Sequence, residues 1–339
     1  MIQIEITTLE QMMTEVCRNC ALPSDVTKEV VAHFIRGELL GKTTHGLAKF
    51  CFESQFFEAR ENAPEVIRAD QAIAIVDAHR EVGPVSAAFA SDLSCELAGK
   101  YGVGLVGMIN TQRYGVLSEW AERAADRGFI SLIMNTSKAE CTVDGVAGGL
   151  TGVNTIGFGA PTLGDCFSFD MGTTVKPLGL LWEARRGADD LPGDAFVDRN
   201  GTMTDDPHSA ESALIFGGYK GFCISLLVQY LIGAPFGFPM GRSVTGTWDT
   251  GYVFLTIAPI AGSQAARTAN TEFMNAVSET LAASESSVRV PGEHSRRKLR
   301  AALDSGYTGI NDNVWKSFVE LHTAAMAEPD PTNAPGGNG

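Results

Sequence analysis

The chain has 339 residues, 44% hydrophobic and 19% charged, with 37 glycines and a formal net charge of −14. That length calls for two subdomains or one large α/β unit. The acidic balance excludes nucleic acid and anionic membranes as partners, yet a locally basic pocket still admits a small anion. No run approaches the roughly 20 apolar residues of a membrane span. Met1-Ile2-Gln3-Ile4-Glu5 has neither the charged nor the apolar region of a signal peptide, so a cytoplasmic location is expected. The seven cysteines show no disulfide framework. Cys17-Arg18-Asn19-Cys20 is a C-x-x-C without a second pair, so ordinary free thiols and no metal site are expected.

In chain order, residues 8–20 and 25–41 read as helices, with Pro23-Ser24-Asp25 as stop and N-cap between them. A third helix starts near Gly46 and carries Phe50, Phe52 and Phe57. Ala72–Asp77 reads as a strand, followed by a helix from Pro84 with Val85, Phe89, Leu93 and Leu97 at i+4 spacing. Gly104–Asn110 is a strand, 116–127 a helix and Phe129–Met134 a strand; this alternation indicates α/β. From Gly145 to Gly164 the glycine-rich chain reads as an irregular loop that lets backbone approach a ligand. Phe167–Met171 and Tyr252–Ile257 read as strands, and 219–232, 264–284, 294–304 and 312–327 as helices. The Pro/Gly/Asn-rich tail from Glu328 is expected to be disordered. His33, His208, His294 and His322 read as surface or helix-face residues, and His79 as a minor candidate past a strand.

Two local patterns carry chemistry. In Gly41-Lys42-Thr43-Thr44-His45-Gly46-Leu47-Ala48-Lys49 an imidazole and an ammonium stand four residues apart, on one face if the stretch is helical. The first can exchange a proton near neutral pH and the second can hold a carboxylate. Gly217-Gly218-Tyr219-Lys220-Gly221 opens an apolar helix, where freed amides and a lysine suit a phosphate, although a plain N-terminal cap fits almost as well. Gly102-Val103-Gly104-Leu105-Val106-Gly107 spells G-x-G-x-x-G, but here a helix precedes and a strand follows, the reverse of the dinucleotide fingerprint. It reads as a helix exit into a buried strand.

Taken in order, these and other segments resemble the malate/L-lactate dehydrogenase family of the non-Rossmann type, from about residue 8 to 325. The segments are Thr44-His45-Gly46, Val76-Asp77, Asn110-Thr111…Tyr114-Gly115, Asn154…Gly159-Ala160-Pro161, Asp170-Met171-Gly172-Thr173-Thr174, Leu191-Pro192…Asp198…Gly201, Gly217–Gly221 and Pro291-Gly292-Glu293. The resemblance implies hydride transfer between NAD or NADP and a small anionic substrate: a 2-oxo acid, its 2-hydroxy product or a cyclic ketimine carboxylate. It implies a homodimer with a non-Rossmann, mixed and largely antiparallel sheet in the cofactor domain and a helical domain built from both chain ends. The boundaries it implies are 1–60 with 310–327 for the helical, dimer-forming region, 61–112 with 285–309 for the substrate side, and 113–284 for the NAD(P)-binding domain.

Residue by residue, the resemblance makes His45 the proton donor with Thr44 beside it. It puts Tyr114, Gly115, Asn154, Asp170, Met171, Gly172, Lys220, Gly221, Pro291, Gly292 and Glu293 on segments that contact the cofactor. The departures are equally specific. The family's arginine four residues after the histidine is Lys49 here, which keeps the charge and loses the bidentate fork. Many members carry a second histidine where this chain has Arg113, which cannot exchange a proton. The family's Thr-Asn-Pro is Val153-Asn154-Thr155. Lys49 and Arg113 are expected to hold the substrate's acidic group. Two rival readings stand beside hydride transfer: a redox-neutral enzyme that retains the nucleotide, and a non-catalytic nucleotide-binding member.

Overall fold

The computed structural model describes residues 1–185 and 191–327. Its first third contains β1 (Ile2–Glu5), α1 (Ile6–Asn19), α2 (Ser24–Leu39), α3 (Leu47–Glu53), β2 (Glu65–Asp70), β3 (Ile73–Asp77), α4 (Gly83–Tyr101) and β4 (Val103–Ile109). The middle holds α5 (Ser118–Asp126), β5 (Ile130–Asn135), β6 (Cys141–Thr142), β7 (Ile156–Ala160), β8 (Phe167–Met171), α6 (Gly179–Arg185), β9 (Phe196–Asp198) and β10 (Ala210–Leu214). The last third holds α7 (Tyr219–Phe236), β11 (Tyr252–Ile257), α8 (Ser263–Ala282), α9 (Glu293–Ser305), β12 (Tyr307–Ile310) and α10 (Asp312–Met326). Among the described residues no helix is long and apolar enough to cross a membrane.

The described residues divide into two compact units, one from residues 1–58 and the chain from 295 onward, the other from residues 59–294. The first is the helical unit expected from both chain ends. Antiparallel β1 and β12 tie those ends together, Ile2 opposite Ile310 and Glu5 opposite Tyr307. Inside, Phe50 meets Phe34, Phe57 and Phe318 edge-on at centroid distances of 5.8, 5.8 and 6.1 Å. Such pairs add about 0.5–1.5 kcal/mol each beyond the apolar area they bury.

The second unit is built on a seven-stranded sheet in the order β2-β3-β4-β11-β5-β7-β8. Only β3 and β4 run parallel, joined through α4; the other neighbours are antiparallel. This is the mixed, largely antiparallel sheet that was expected. Residues 61–112 supply β2–β4 of the same sheet that 113–284 complete, so they form no separate compact unit, and the break in 285–309 falls at His294/Ser295. On one face Trp120, Tyr114, Met108, Tyr252 and Phe254 fill the core; on the other α7 packs through Val228, Ile232 and Phe236. The G-x-G-x-x-G stretch is the helix exit foreseen. Gly102 ends α4 at φ 86°, and a Cβ on Gly104 would lie 2.0 Å from the Ser94 carbonyl, so α4 lies flat on β4.

Several expectations are corrected. Gly145–Gly164 is not one irregular loop, because Ile156–Ala160 is strand β7. Its glycines admit a helix: a Cβ on Gly157 or Gly159 would meet Leu117 Cβ at 2.8 Å or Ala121 O at 2.3 Å as α5 crosses. The start of α2 at Ser24 carries no side-chain cap, with Pro23 in the capping position. His33, read as a surface or helix-face residue, lies in α2 and is fully buried. Phe57 lies in a 3-10 turn after α3. The expected disordered tail from residue 328 lies outside the described residues.

Candidate functional site

In the helical unit the turn that carries Thr44 and His45 is held onto the end of α2 by backbone bonds. The Gly41 and Lys42 amides donate to the Glu38 and Gly37 carbonyls at 2.8 and 3.0 Å, and the His45 amide donates to the Lys42 carbonyl at 2.7 Å. The Leu47 amide donates to the buried Glu38 carboxylate at 2.9 Å. Thr44 Oγ1 and His45 Nδ1 are 2.8 Å apart, so the hydroxyl occupies one ring nitrogen and Nε2 remains for chemistry. Burial, followed by the Lys49, Lys42 and His33 charges, pushes the half-buried imidazole down to about 3, well below an ordinary histidine. It is therefore neutral at pH 7, and an arriving anion would offset the two lysines and draw the proton back.

Lys49 is less available than its position suggests. Its Nζ lies 2.7 Å from Oε1 of Glu53, a carboxylate only 1% exposed, while the lysine side chain is 18% exposed and covers the Phe52 ring at 5.2 Å. Neither Glu53 oxygen has a hydrogen bond of good geometry among the described residues. The ammonium is thus the compensating charge for a buried carboxylate, which the reading of Lys49 as a free carboxylate receptor did not foresee.

In the sheet unit, register gathers most of the other expected residues at one edge. Asp77 pairs with Ile109, Met108 and Asn135 both flank Tyr252, Met134 pairs with Ile156, and Ile156 pairs with Met171. This row contains the carboxyl ends of the parallel pair β3 and β4, where ligands collect in open α/β sheets. Just beyond it lie His79-Arg80, Asn110–Gly115, Val153-Asn154 and Gly172–Thr174, with Asp170 one residue inside the sheet opposite Gly157. Backbone in the left-handed region marks the rim: His79, Arg80, Asn110 and Asn154 have φ of 46°, 57°, 59° and 48°. Asp77 steadies it by accepting the His79 amide and the Asn110 side-chain amide at 2.8 and 2.9 Å.

Arg113 is held at this rim by its backbone. The Gln112 amide donates to the Glu81 carbonyl at 3.1 Å, and a Cβ on Gly83 would lie 2.5 Å from the Arg113 carbonyl. Glu81, buried, also accepts Arg60 Nε at 2.6 Å and the Val82 amide at 2.8 Å. Arg113 Nε is buried and has no hydrogen-bond partner among the described residues. The neighbouring Arg80 is paired with Glu61 at 3.1 Å and lies over Trp248 at 5.2 Å.

The expected cofactor residues divide by what their side chains already do. Tyr114 is buried, stacked on Tyr252 at 4.9 Å in the core, so only its backbone can reach a ligand. Asn154 is fully buried: its amide donates to Ser225 O and Oγ at 3.0 and 2.8 Å and accepts from Gln229 Nε2 at 2.8 Å. It clamps the sheet edge to α7. Asp170 accepts the first amide of α5, Ser118 N, at 3.3 Å. Gly172 passes against Val153, whose Cγ1 would lie 2.5 Å from a Cβ there. The Phe216 amide donates to the Thr173 carbonyl at 3.0 Å and joins the Gly217–Gly221 turn to the same edge. Gly217 and Gly218 have φ of 63° and 55°, Gly218 with ψ −127°, which only glycine adopts readily. A Cβ on Gly221 would lie 1.7 Å from the Phe216 carbonyl. Lys220 is exposed on the first turn of the 18-residue α7. Pro291-Gly292-Glu293 opens α9 as a largely exposed turn with Gly292 at φ 80°. Of the cysteines, Cys17 is buried and its thiol pushed up to about 12 by desolvation, consistent with an inert structural thiol.

Residues 4–319 match the malate/L-lactate dehydrogenase family. The chain is 30% identical over 236 residues to the L-sulfolactate dehydrogenase of Methanothermobacter thermautotrophicus, covering 66% of this chain and 67% of that one. It is 26% identical over 320 residues to the NAD(+) ureidoglycolate dehydrogenase of Escherichia coli, covering 90% and 92%. The malate dehydrogenase of Entamoeba histolytica superposes with a TM-score of 0.86 over 97% of this chain and 99% of that one, at 17% identity, a likeness of fold. With the family matched over nearly its whole length, the chain belongs to the malate/L-lactate dehydrogenase family of oxidoreductases.

Proposed function

We propose that the protein transfers a hydride between NAD(P)H and a small 2-oxo or 2-hydroxy acid or cyclic ketimine carboxylate, with His45 as proton donor. The observation that carries this reading is the Thr44–His45 contact of 2.8 Å, which leaves Nε2 as the imidazole's working nitrogen. The bound nicotinamide supplies or accepts the hydride. In the reducing direction His45, protonated as the charge of the bound anion offsets the cost of burying the imidazolium, gives its Nε2 proton to the carbonyl oxygen or imine nitrogen as the carbon is reduced. In the oxidising direction the neutral imidazole takes that proton from the hydroxyl or amine. The Thr44 hydroxyl serves both directions by accepting from Nδ1–H, which keeps Nε2 as the nitrogen that gains or loses the proton.

The nucleotide fits the edge of the sheet. The Gly217–Gly221 turn offers amides and Lys220 at the positive end of α7 for phosphate, and Gly172 and the Tyr114-Gly115 backbone offer close approach. Arg113, with its buried Nε lacking a partner among the described residues, holds the substrate's acidic group. The protein works as a homodimer: α7 is apolar on all sides, yet a single chain leaves Tyr219, Leu227, Tyr230 and Leu231 exposed. Sedimentation at micromolar concentration tests that state.

The decisive experiment follows NADH and NADPH oxidation with pyruvate, oxaloacetate, sulfopyruvate and Δ1-piperideine-2-carboxylate. Turnover is expected with at least one of them. His45→Gln should lower kcat by roughly 10² or more, the scale of a lost general acid, with nucleotide affinity unchanged. A variant that keeps near-parental turnover removes His45 from the mechanism.

A further inference from the structure

We propose that Glu38 is the positioning residue for His45: its buried carboxylate binds the Leu47 amide and packs against Gly46, fixing the turn that carries the imidazole. The inference rests on the role given above to His45. Three bonds fasten residues 41–47 to the last turn of α2. Two use the Gly37 and Glu38 carbonyls, which a helix end leaves without intrahelical donors. The third, from the Leu47 amide to Glu38 Oε2 at 2.9 Å, needs a side chain, and it is the one that lies beyond His45.

Sterics close the other directions. A Cβ on Gly46 would stand 2.3 Å from Glu38 Oε2 and 2.7 Å from the Glu38 amide nitrogen. A Cβ on Gly37 would stand 2.6 Å from the His45 carbonyl. The His45-Gly46 peptide therefore lies on the helix surface at positions 37 and 38, with no slack for a side chain at Gly37 or Gly46. Glu38 is 5% exposed, and burial pushes its carboxyl up. It acts through the oxygen it offers Leu47, which a neutral amide of the same length also offers. The charged or titratable groups around the imidazole are Lys42, Lys49 and His33, with Glu38 beneath the turn. Freed from Glu38, the turn would lift, water would reach the ring, and the alignment of Nε2 would be lost.

The test uses the full chain with Glu38→Ala, Glu38→Asp, Glu38→Gln, His45→Gln and the double variant His45→Gln/Glu38→Ala. Imidazole ¹H–¹⁵N spectra follow the protonation of His45. In the parent and in Glu38→Gln it should stay neutral to below pH 5, and in Glu38→Ala it should titrate near the ordinary value of about 6.5. Turnover with the same panel of acids should fall roughly 10–100-fold in Glu38→Ala, stay within about threefold in Glu38→Gln, and fall no further when Glu38→Ala is added to His45→Gln. Rescue by glutamine and this non-additivity separate positioning from a general loss of stability. If Glu38→Ala does not fold, Glu38→Asp, whose oxygen is withdrawn by one methylene, decides in its place. An unchanged His45 titration in a folded Glu38→Ala or Glu38→Asp protein overturns the proposal. Near-parental turnover in His45→Gln instead overturns the catalytic reading, and the spectra then still judge Glu38.

Discussion

Replacing Lys49 should cost more in stability than its position on a short helix suggests. The ammonium lies 2.7 Å from a Glu53 carboxylate that is 1% exposed and has no hydrogen bond of good geometry among the described residues. Lys49→Met keeps the stem over Phe52 and leaves the buried carboxylate without its counter-charge. Breaking a buried pair from one side costs about 3–5 kcal/mol. The lysine is 18% exposed, so the lower end applies, about 3 kcal/mol. Glu53→Gln is milder, about 1 kcal/mol, because a flexible lysine can turn its charge to water. The double variant Lys49→Met/Glu53→Gln removes both charges and should recover most of the loss, leaving a cost of about 1 kcal/mol and giving a coupling energy of about 3 kcal/mol. Urea unfolding at pH 7.5 measures all four proteins, with the m-value constant across the cycle. A Lys49→Met cost below about 1 kcal/mol with no coupling is what a solvated surface pair gives, and it would refute the argument.

Lys220→Ala should weaken NAD(P)H binding roughly tenfold or more by fluorescence titration, since a charge-assisted hydrogen bond is worth about 1.5–3 kcal/mol; unchanged binding by a folded variant contradicts the phosphate role. Asn154→Ala should cost about 1–3 kcal/mol in urea unfolding, because it strands the buried Gln229 Nε2 while Ser225 Oγ keeps Thr151; a stability unchanged from the parent would show that the clamp is not formed. The native His45 value of about 3 lies below an unfolded value near 6.5, so the native state binds fewer protons between those limits. Stability from this group is full above about pH 6.5 and is lost as pH falls, by at most about 2 kcal/mol at pH 5. His45→Gln should flatten that part of the stability–pH curve, and an identical slope in both proteins would rule the effect out.

The Thr44-His45-Gly46 turn could be singled out from sequence because it is local: the three residues are adjacent, and the Thr44–His45 contact does not depend on distant pairing. Helices with repeating apolar positions, such as 84–101, were readable for the same reason. Strand β7 was not, because glycine periodicity there answers to α5 crossing from outside the segment. Strand β2 hid too, since all six of its residues are exposed and none alternates. At the site, the i,i+4 spacing of Lys49 and Glu53 was visible, but nothing local said that the carboxylate would be buried. The three roles of Asn154, Asp170 and Tyr114 as clamp, helix cap and core ring depend on Ser225, Ser118 and Tyr252, residues 52 to 138 positions away in the chain. Glu38 lacked any signal except its place seven residues before the histidine.

The two cationic departures from the family pattern, Lys49 and Arg113, are not equivalent once their partners are counted. Lys49 replaces an arginine but brings Glu53 with it, so that position carries a nearly neutral pair. Arg113 replaces a histidine and brings a guanidinium whose buried Nε has no partner among the described residues, while the adjacent Arg80 is committed to Glu61 and Trp248. On the function proposed above, anion binding therefore rests on Arg113 rather than on Lys49, and arginine cannot take the proton-exchanging role of a second histidine. Such an exchange alters which acid is held and leaves His45 as the acid–base group of the turn. That favours a changed substrate over lost catalysis. A redox-neutral or non-catalytic chain has no need for an imidazole held neutral by burial and two nearby lysines and steadied by Thr44, and it would instead co-purify with nucleotide that no 2-oxo acid discharges. Release of the bound cofactor on heating, read by its ultraviolet spectrum before and after incubation with the acids, decides between them: unchanged reduced nucleotide supports the rivals, and its oxidation supports hydride transfer.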